Sequence, residues 1–384
     1  MIDMASILQP AESTLMVQQL AREFARKELR PVVMDYDESE KFPFEMIAKL
    51  AELGFLGAMA PEEYNGAGLS LLDFTVLIEE ISRVDPSVAL SLSAHNGLGV
   101  GHILHFGTEA QKHKYLPDLC SGKKLGGWAL TEPCSGSDAG SMQTLAVRDG
   151  DAWILKGNKT FITHGSVGSV FIIMARTDPS NPKPAVSAFI VEKEFPGFSV
   201  GKKESKLGMR ASDTAELILD NVRVPAANLL GTEGEGFGQA LHMLDGGRIG
   251  IAALSVGLAQ GALDASLKYA KERQQFGRPI AEFQAIQWKL ADMATEISAA
   301  RLLTRYAAYL RMQGENVNLA AAQAKYYASE VAVRAANDAV QIHGGYGYIK
   351  DYPVEKLYRD ARLLTIGEGT SEVQKMVIAR NLLK

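Results

Sequence analysis

Residues 152–192 read AWILKGNKTFITHGSVGSVFIIMARTDPSNPKPAVSAFIVE. Three short runs stand out within them: Ala152–Leu155, Val170–Met174 and Val186–Val191. Ala215–Leu219 repeats the pattern downstream. Each run is rich in β-branched or aromatic residues and is bounded by Gly, Asn, Asp or Pro, which predicts strands. No helical stretch separates them, so the spacing points to an antiparallel sandwich or small barrel and away from alternating βαβ units.

The prolines divide the chain around this region. Six of the 14 (Pro133, Pro179, Pro182, Pro184, Pro196 and Pro225) fall between residues 121 and 228, and only Pro279 and Pro353 lie beyond. Helix interiors reject proline at a cost of about 3 kcal/mol, so the remainder can hold long helices. Downstream, Ile286, Leu290, Met293, Ile297 and Ala300 form one apolar stripe on a helix running to about Leu310. Gly314-Glu-Asn-Val-Asn breaks it, and an alanine-rich helix follows from Leu319 to Ile342. Two long helices joined by a short break pack antiparallel, as in a bundle. Upstream, Leu15, Leu20, Phe24 and Leu29 begin an amphipathic helix closed by Pro31. Met46, Leu50, Leu53 and Phe55 form a second stripe, and Asp73 is positioned to cap Phe74–Ile81. The expected organisation is α+β and mainly helical: a helical domain over 1–120, a β domain over 121–228 and a helical bundle over 229–384.

Composition limits the function classes. The 384 residues are 47% apolar and 22% charged, typical of a folded globular chain. A net charge of −5 is no footprint for nucleic acid or an anionic membrane. The longest candidate membrane run, Ile249–Ala259, is short of the ~20 apolar residues a span needs. Two cysteines, Cys120 and Cys134, exclude a disulfide framework and a four-thiolate metal site. They point to a reducing compartment. Asp3 and Glu12 interrupt any signal-peptide core. The expected location is the cytoplasm, or the mitochondrial matrix after loss of a transit peptide. His102 and His105 lack a second pair at metal spacing and read as core or rim residues, so no metal site is expected.

Neither a Walker loop nor a dinucleotide fingerprint is present. Four other segments concentrate polar and glycine residues. Trp128–Asp138 packs Thr131, Ser135 and Ser137 into one turn, either an ordinary loop or a rim of donors for a polar ligand. Lys159–Gly165 places Phe161 and Thr163 two residues apart, on one face of an extended chain. Gln341–Tyr348 sets Gly344 and Gly345 at a helix end, as a cap or as a close approach to a ligand. Ile366–Gln374 places Glu368 between two glycines just before a helix that Ser371 with Gln374, or Thr370, would cap. Glu368 is then either an exposed acid with a lowered pKa near a helix N-terminus or a base raised by desolvation in a cavity.

Taken in order, ALTEPCSGSDAG (129–140), RQQFGRPIAEFQ (273–284), QIHGGYGY (341–348, continued through Asp351, Lys356 and Asp360) and GEGTSE (367–372) resemble the acyl-CoA dehydrogenase family, in particular its short-chain, butyryl-CoA type. The resemblance spans about residues 11–384. It implies a helical domain, a β domain and a four-helix bundle, assembled as a homotetramer with FAD between β domain and bundle. It assigns the flavin to Trp128, Leu130, Thr131, Ser137, Phe161 and Thr163; the Phe161 position is usually tryptophan. Arg273, Phe276, Gln284, Gln341, Gly344 and Gly345 match positions that hold the FAD phosphates and adenosine, partly across a subunit interface. Thr370 and Glu372 match FAD-lining positions, and Ser137, Asp245, Arg248 and Gly369 substrate-contacting ones.

Glu368 matches the catalytic base. One branch carries its base near Asp245–Arg248, but Gly247 stands at that position here. The implied reaction removes an α-proton and a β-hydride from an acyl-CoA and passes electrons to an electron-transfer flavoprotein. The acyl pocket of the family is lined by the Ser87–Gly99 segment, and no Arg or Lys occurs between Val84 and Gly101 to pair with a terminal carboxylate. Straight short-chain acyl groups are the first expectation. Branched or alicyclic substrates, an acyl-CoA oxidase and an enoyl-CoA reductase are the alternatives.

Overall fold

The computed structural model describes residues 11–178 and 185–384. The N-terminal stretch with Asp3 and the linker prolines Pro179, Pro182 and Pro184 lie outside them.

Helix α1 (Glu12–Phe24) buries Thr14, Val17, Ala21 and Phe24, whose steps of three, four and three form one face. Leu15 and Leu20 were expected on that face but are 49% and 43% exposed. Their five-residue spacing does not follow the 3.6-residue period. Leu29 still reaches the core because Ala25–Leu29 is a π turn, which accommodates its five-residue step from Phe24. After α2 (Val33–Ser39) and α3 (Phe44–Glu52), α4 (Leu71–Ser82) begins with a capping box. Ser70 is the cap and accepts from the Asp73 N–H, and Asp73 answers from the third helical position. The expected cap was Asp73 itself. Helix α5 (Pro86–Ala94) runs through a second π segment, His95–Val100, into α6 (Gly101–Phe106); α7 (Glu109–Cys120) closes the helical region.

The central region is one eight-stranded sheet. Its strands are β1 (Gly126–Ala129), β2 (Leu145–Asp149), β3 (Ala152–Thr163), β4 (Val170–Asp178), β5 (Ala185–Glu192), β6 (Phe198–Lys203), β7 (Thr214–Pro225) and β8 (Leu229–Leu230). The order is β6-β7-β3-β2-β4-β5-β8, with β1 on β4. All four runs read as strands from the sequence are strands. Most pairs are antiparallel, but β1 joins β4 in parallel. The sheet doubles over so that β3 and β7 face β4 and β5, with Trp153 edge-on to Phe189 at 5.4 Å. The alternate residues Val170, Ile172, Met174, Ala188 and Ile190 pack outward with Ile103, Tyr115 and Leu116 of the N-terminal helices. Strands buried on both faces explain the continuous apolar runs of β4 and β5.

Helix α8 (Gly236–Glu272) is the axis of the last region. By length and composition it could cross a membrane, yet 83% of its apolar window is buried by the rest of the chain. A short hairpin, β9 (Gln274–Gln275) with β10 (Arg278–Pro279), leads into α9 (Gln284–Met312) and α10 (Asn318–His343). These three helices pack on one another, and α11 (Val354–Leu364) and α12 (Ser371–Leu382) lie against α10. Helix α4 fits onto α8 where Gly257 leaves room; a Cβ there would meet the Glu79 carbonyl. A buried ion cluster joins the three regions. Lys356 donates to Asp85 (3.1 Å) at the start of α5 and to Asp360 (2.6 Å), and Asp360 accepts the Met209 N–H. That gives the Lys356/Asp360 part of the third sequence motif a structural role.

Candidate active site

Glu368 sits at φ = 52° on the loop between α11 and α12, with Gly369 at φ = 93° beside it. A left-handed non-glycine residue costs about 1–2 kcal/mol and needs external support. Gln374, in the first turn of α12, donates to the Glu368 carbonyl (3.3 Å) and the Gly369 carbonyl (3.0 Å). Lys325 of α10 donates its Nζ–H to the same Gly369 carbonyl at 2.7 Å. Ser371 donates to Glu330 of α10 at 2.6 Å, and Thr370 caps α12 by accepting from the Val373 N–H at 3.3 Å. The loop is therefore tied to two helices, and Thr370 is the cap of the two alternatives.

Glu368 as a whole is half-buried, but its carboxylate points inward over Gly247. Oε2 is shielded from solvent and has no hydrogen-bond partner among the described residues. It occupies space left open by Gly247 of α8: a Cβ at 247 would collide with Oε2. The two positions at which the family resemblance allows a base thus converge on one point, and here the acid at 368 fills it. Desolvation pushes the Glu368 carboxyl up to about 7, against the opposing pull of the Lys325 and Arg248 charges. Of the two readings left open by the sequence, the desolvated one matches the structure. Arg248, buried on α8, donates to Asp245 at 2.6 Å, and Asp245 also accepts from Asn318 at 3.0 Å. The Arg248 Nε–H is buried without a partner among the described residues.

The β domain contributes a second cluster. Thr160 N–H donates to the Thr131 carbonyl at 2.9 Å, bringing the turn after β1 beside the end of β3. Trp128, Thr131 and Thr163 are half-buried, Leu130 is buried and Ser137 is exposed. Phe161 has φ = 58° and a ring left 65% exposed. Behind this platform, Lys159 is fully buried and donates to the Leu130 carbonyl (3.0 Å) and to Glu132 (2.7 Å). Glu132 also accepts the Thr144 N–H at 3.0 Å. Burial pushes the Glu132 carboxyl up, but Lys159 and these hydrogen bonds hold it below its ordinary value. The Trp128 indole donates to Nδ1 of His102, so the His102 Nε2–H faces Gln239. His102 is thereby a neutral core histidine, lowered by burial to about 4.

The platform and the base are linked through Ser93–Gly101. Gly99 packs against Gly126 of β1, Gly101 faces Met243 of α8, and Ser93 lies over Gly250 of α8. This segment lies between the β platform and the helix that receives Glu368.

The third cluster lies elsewhere. Arg273, Gly344 and Gly345 line a cleft of about 520 Å³ with Tyr269, His343 and Tyr346 at the far end of α8. The Arg273 guanidinium lies 5.4 Å over the Tyr346 ring. Gln341 and Gln284 are exposed nearby, and Phe276 on the hairpin is 94% exposed. Glu372 is exposed in the first turn of α12, below its ordinary value through a hydrogen bond to its own backbone N–H, then one from Thr370. From Gly247 to Arg273 along α8 is roughly 40 Å at 1.5 Å per residue. One chain does not bring the Arg273 cluster to Glu368.

The N-terminal, middle and C-terminal domains of acyl-CoA dehydrogenase match residues 11–123, 127–222 and 234–383. The chain belongs to the acyl-CoA dehydrogenase family. It is accordingly an oxidoreductase. It is 47% identical to the short-chain specific acyl-CoA dehydrogenase of Clostridium acetobutylicum over 96% of this chain and 97% of that protein. It is also 47% identical to CarC, a subunit of the caffeyl-CoA reductase-Etf complex of Acetobacterium woodii, over 97% and 99%. Butyryl-CoA dehydrogenase of Megasphaera elsdenii superposes with a TM-score of 0.95 at 44% identity, covering 97% of this chain and 99% of that one. Three residues of the candidate site, Lys325, Glu132 and Lys159, were not among the sequence candidates. Lys325 had a visible signal: Ala321, Ala324 and Ala328 place it on the buried face of α10.

Proposed function

We propose that the chain is a FAD-dependent short-chain acyl-CoA dehydrogenase in which Glu368 removes the α-proton of the thioester. The observation that carries this reading is the Glu368 carboxyl: raised to about 7, its Oε2 buried, unpartnered among the described residues and seated where Gly247 leaves space. A carboxylate near pH 7 in its pKa is matched to proton abstraction at neutrality.

The residues present fit FAD. Thr131 and Thr163 offer hydroxyls beside the exposed Phe161 ring, and a large apolar ring open to water is suited to being covered by a planar ligand. Arg273 and the Gly344–Gly345 backbone suit phosphates and adenosine. The Arg273 cluster lies roughly 40 Å along α8 from the Glu368 site, which favours the Arg273 cluster of one chain serving the platform of another. That separation supports a homotetramer, or at least a dimeric unit within it. When bound, FAD supplies the acceptor for the β-hydride.

The chain itself does the rest. The Ser93–Gly101 wall holds the acyl group between platform and α8, keeping Cα and Cβ between the two reacting groups. The backbone N–H of Glu368 is the protein donor to the thioester oxygen as enolate charge develops. Glu368 Oε2 takes the α-proton as the Cα–H bond breaks, and its neutral form is stabilised by the dry pocket. Short-chain specificity is supported by the short-chain and butyryl relatives, and electron-transfer flavoprotein as partner by the CarC relative. That reductase relative also favours a second reading, enoyl-CoA reduction on the same site. Near neutrality Glu368 is present in both protonation states and can return a proton to Cα.

The test is an anaerobic panel of butyryl, isobutyryl, isovaleryl, hexanoyl and glutaryl thioesters, following flavin bleaching. Butyryl-CoA is expected to bleach fastest. Fastest bleaching by glutaryl or isovaleryl thioesters would overturn the short-chain assignment. Re-oxidation of the bleached flavin by crotonyl-CoA in preference to an electron-transfer flavoprotein would establish the reductase reading.

A further inference from the structure

Lys325 is 0% exposed, and among the described residues no carboxylate lies within ion-pair distance of it. Lysine is almost never fully buried without a paired charge. A buried ammonium also stabilises a fold less than an apolar residue of similar size would. Its only hydrogen-bond acceptor among the described residues is the Gly369 carbonyl, one residue past the proposed base.

We infer that Lys325 is a positioning residue for Glu368, pinning the base loop through Gly369 and supplying the counter-charge that keeps the carboxylate ionisable in a dry pocket. This deepens the proposed function and rests on Glu368 being the base.

The charges around Glu368 come from two packed helices. From α8, Arg248 faces the carboxylate but already serves Asp245 at 2.6 Å. From α10, Lys325 has no such partner. Glu330, on the same helix, is engaged by Ser371, and Glu372 of α12 is exposed. Lys325 is therefore the cation left to answer Glu368. The mutual effect runs both ways. Burial drives the Lys325 ammonium down to about 8, while Glu368 draws it up. The Lys325 charge in turn holds the Glu368 carboxyl below where desolvation alone would take it. The pinning contact has a second effect. Lys325 shares the Gly369 carbonyl with Gln374, and with φ = 52° at Glu368 the loss of this shorter of the two contacts would loosen the loop that seats Oε2 over Gly247.

Three substitutions separate charge from hydrogen bond. Lys325→Gln keeps a donor without charge, Lys325→Met keeps neither, and Lys325→Arg keeps the charge. The readout is the acid limb of kcat/KM for anaerobic flavin reduction by butyryl-CoA in the flavin-loaded protein. Lys325→Gln and Lys325→Met are expected to move that limb to higher pH by roughly one unit, a tenfold loss at pH values on the limb. Lys325→Arg leaves it in place. At the plateau, Lys325→Met loses rate relative to Lys325→Gln because Gln374 alone then holds the Gly369 carbonyl. The same shift is read without turnover, from the pH dependence of the stability gap between each variant and its Glu368→Gln double mutant.

An unmoved limb in Lys325→Gln, with the protein folded and flavin-loaded, overturns the inference, whatever happens to Lys325→Met. If Glu368→Gln alone reduces its flavin at the parent rate, it is the assignment of the base that has failed.

Discussion

Replacing Glu368 with glutamine has a stability signature that needs no substrate. In the folded chain the carboxyl is raised from the ordinary 4.5 to about 7 by burial. Between these values the unfolded chain has released the proton while the folded chain holds it, so stability falls as pH rises. The penalty is absent below about pH 4.5 and fully present above about pH 7. A rise of that size is worth about 3 kcal/mol. Glutamine fills the same space and does not titrate. The gap between Glu368→Gln and the parent is therefore expected to be near its minimum at about pH 4 and to grow by about 3 kcal/mol by about pH 7.5. For a chain of this length that is a difference of roughly 4 °C in Tm. In the parent, Lys325, pushed down to about 8, titrates above this window. The assay is paired urea and thermal unfolding at fixed ionic strength and excess FAD, in half-unit pH steps. A gap that stays constant with pH would refute the buried-carboxylate reasoning. A gap that shrinks as pH rises would show Glu368 to be held ionised.

Two further perturbations probe the surroundings. Gly247→Ala places a methyl group where Oε2 lies. It is expected to cut flavin reduction by acyl-CoA at least tenfold while flavin content, read by absorbance, stays at the parent level; an unchanged rate would mean that the carboxylate works from another position. Lys159→Met leaves Glu132 buried without its cation, and breaking such a pair costs about 3–5 kcal/mol. Because the pair also anchors the Leu130 carbonyl, Lys159→Met is expected to lose flavin during gel filtration as well as stability, and full flavin retention would detach the pair from the platform.

The architecture was legible where local periodicity carries it. The strands β3, β4, β5 and β7 and the two long helices after Gln284 follow from runs and stripes that any one segment displays. Details set by partners were not. Leu15 and Leu20 look like core residues until the π turn after Phe24 fixes which face Leu29 continues. Asp73 looks like a cap until Ser70, three residues earlier, takes that place and Thr14 of α1 donates to the aspartate. The site divides in the same way. Glu368 was visible as an acid between glycines, but whether it is raised or lowered depends on Gly247, Arg248 and Lys325, 121, 120 and 43 residues away. Lys159 and Glu132 sit in two separate motifs whose contact exists only once the end of β3 lies beside the turn after β1. The separation of the Arg273 cluster from the base follows from the unbroken length of α8, which sequence alone did not set.

The most direct measurement is rapid mixing of anaerobic Glu368→Gln with butyryl-CoA, monitored at the flavin absorbance band. The account predicts flavin content equal to the parent and bleaching slowed by several orders of magnitude. Bleaching at the parent rate would contradict it.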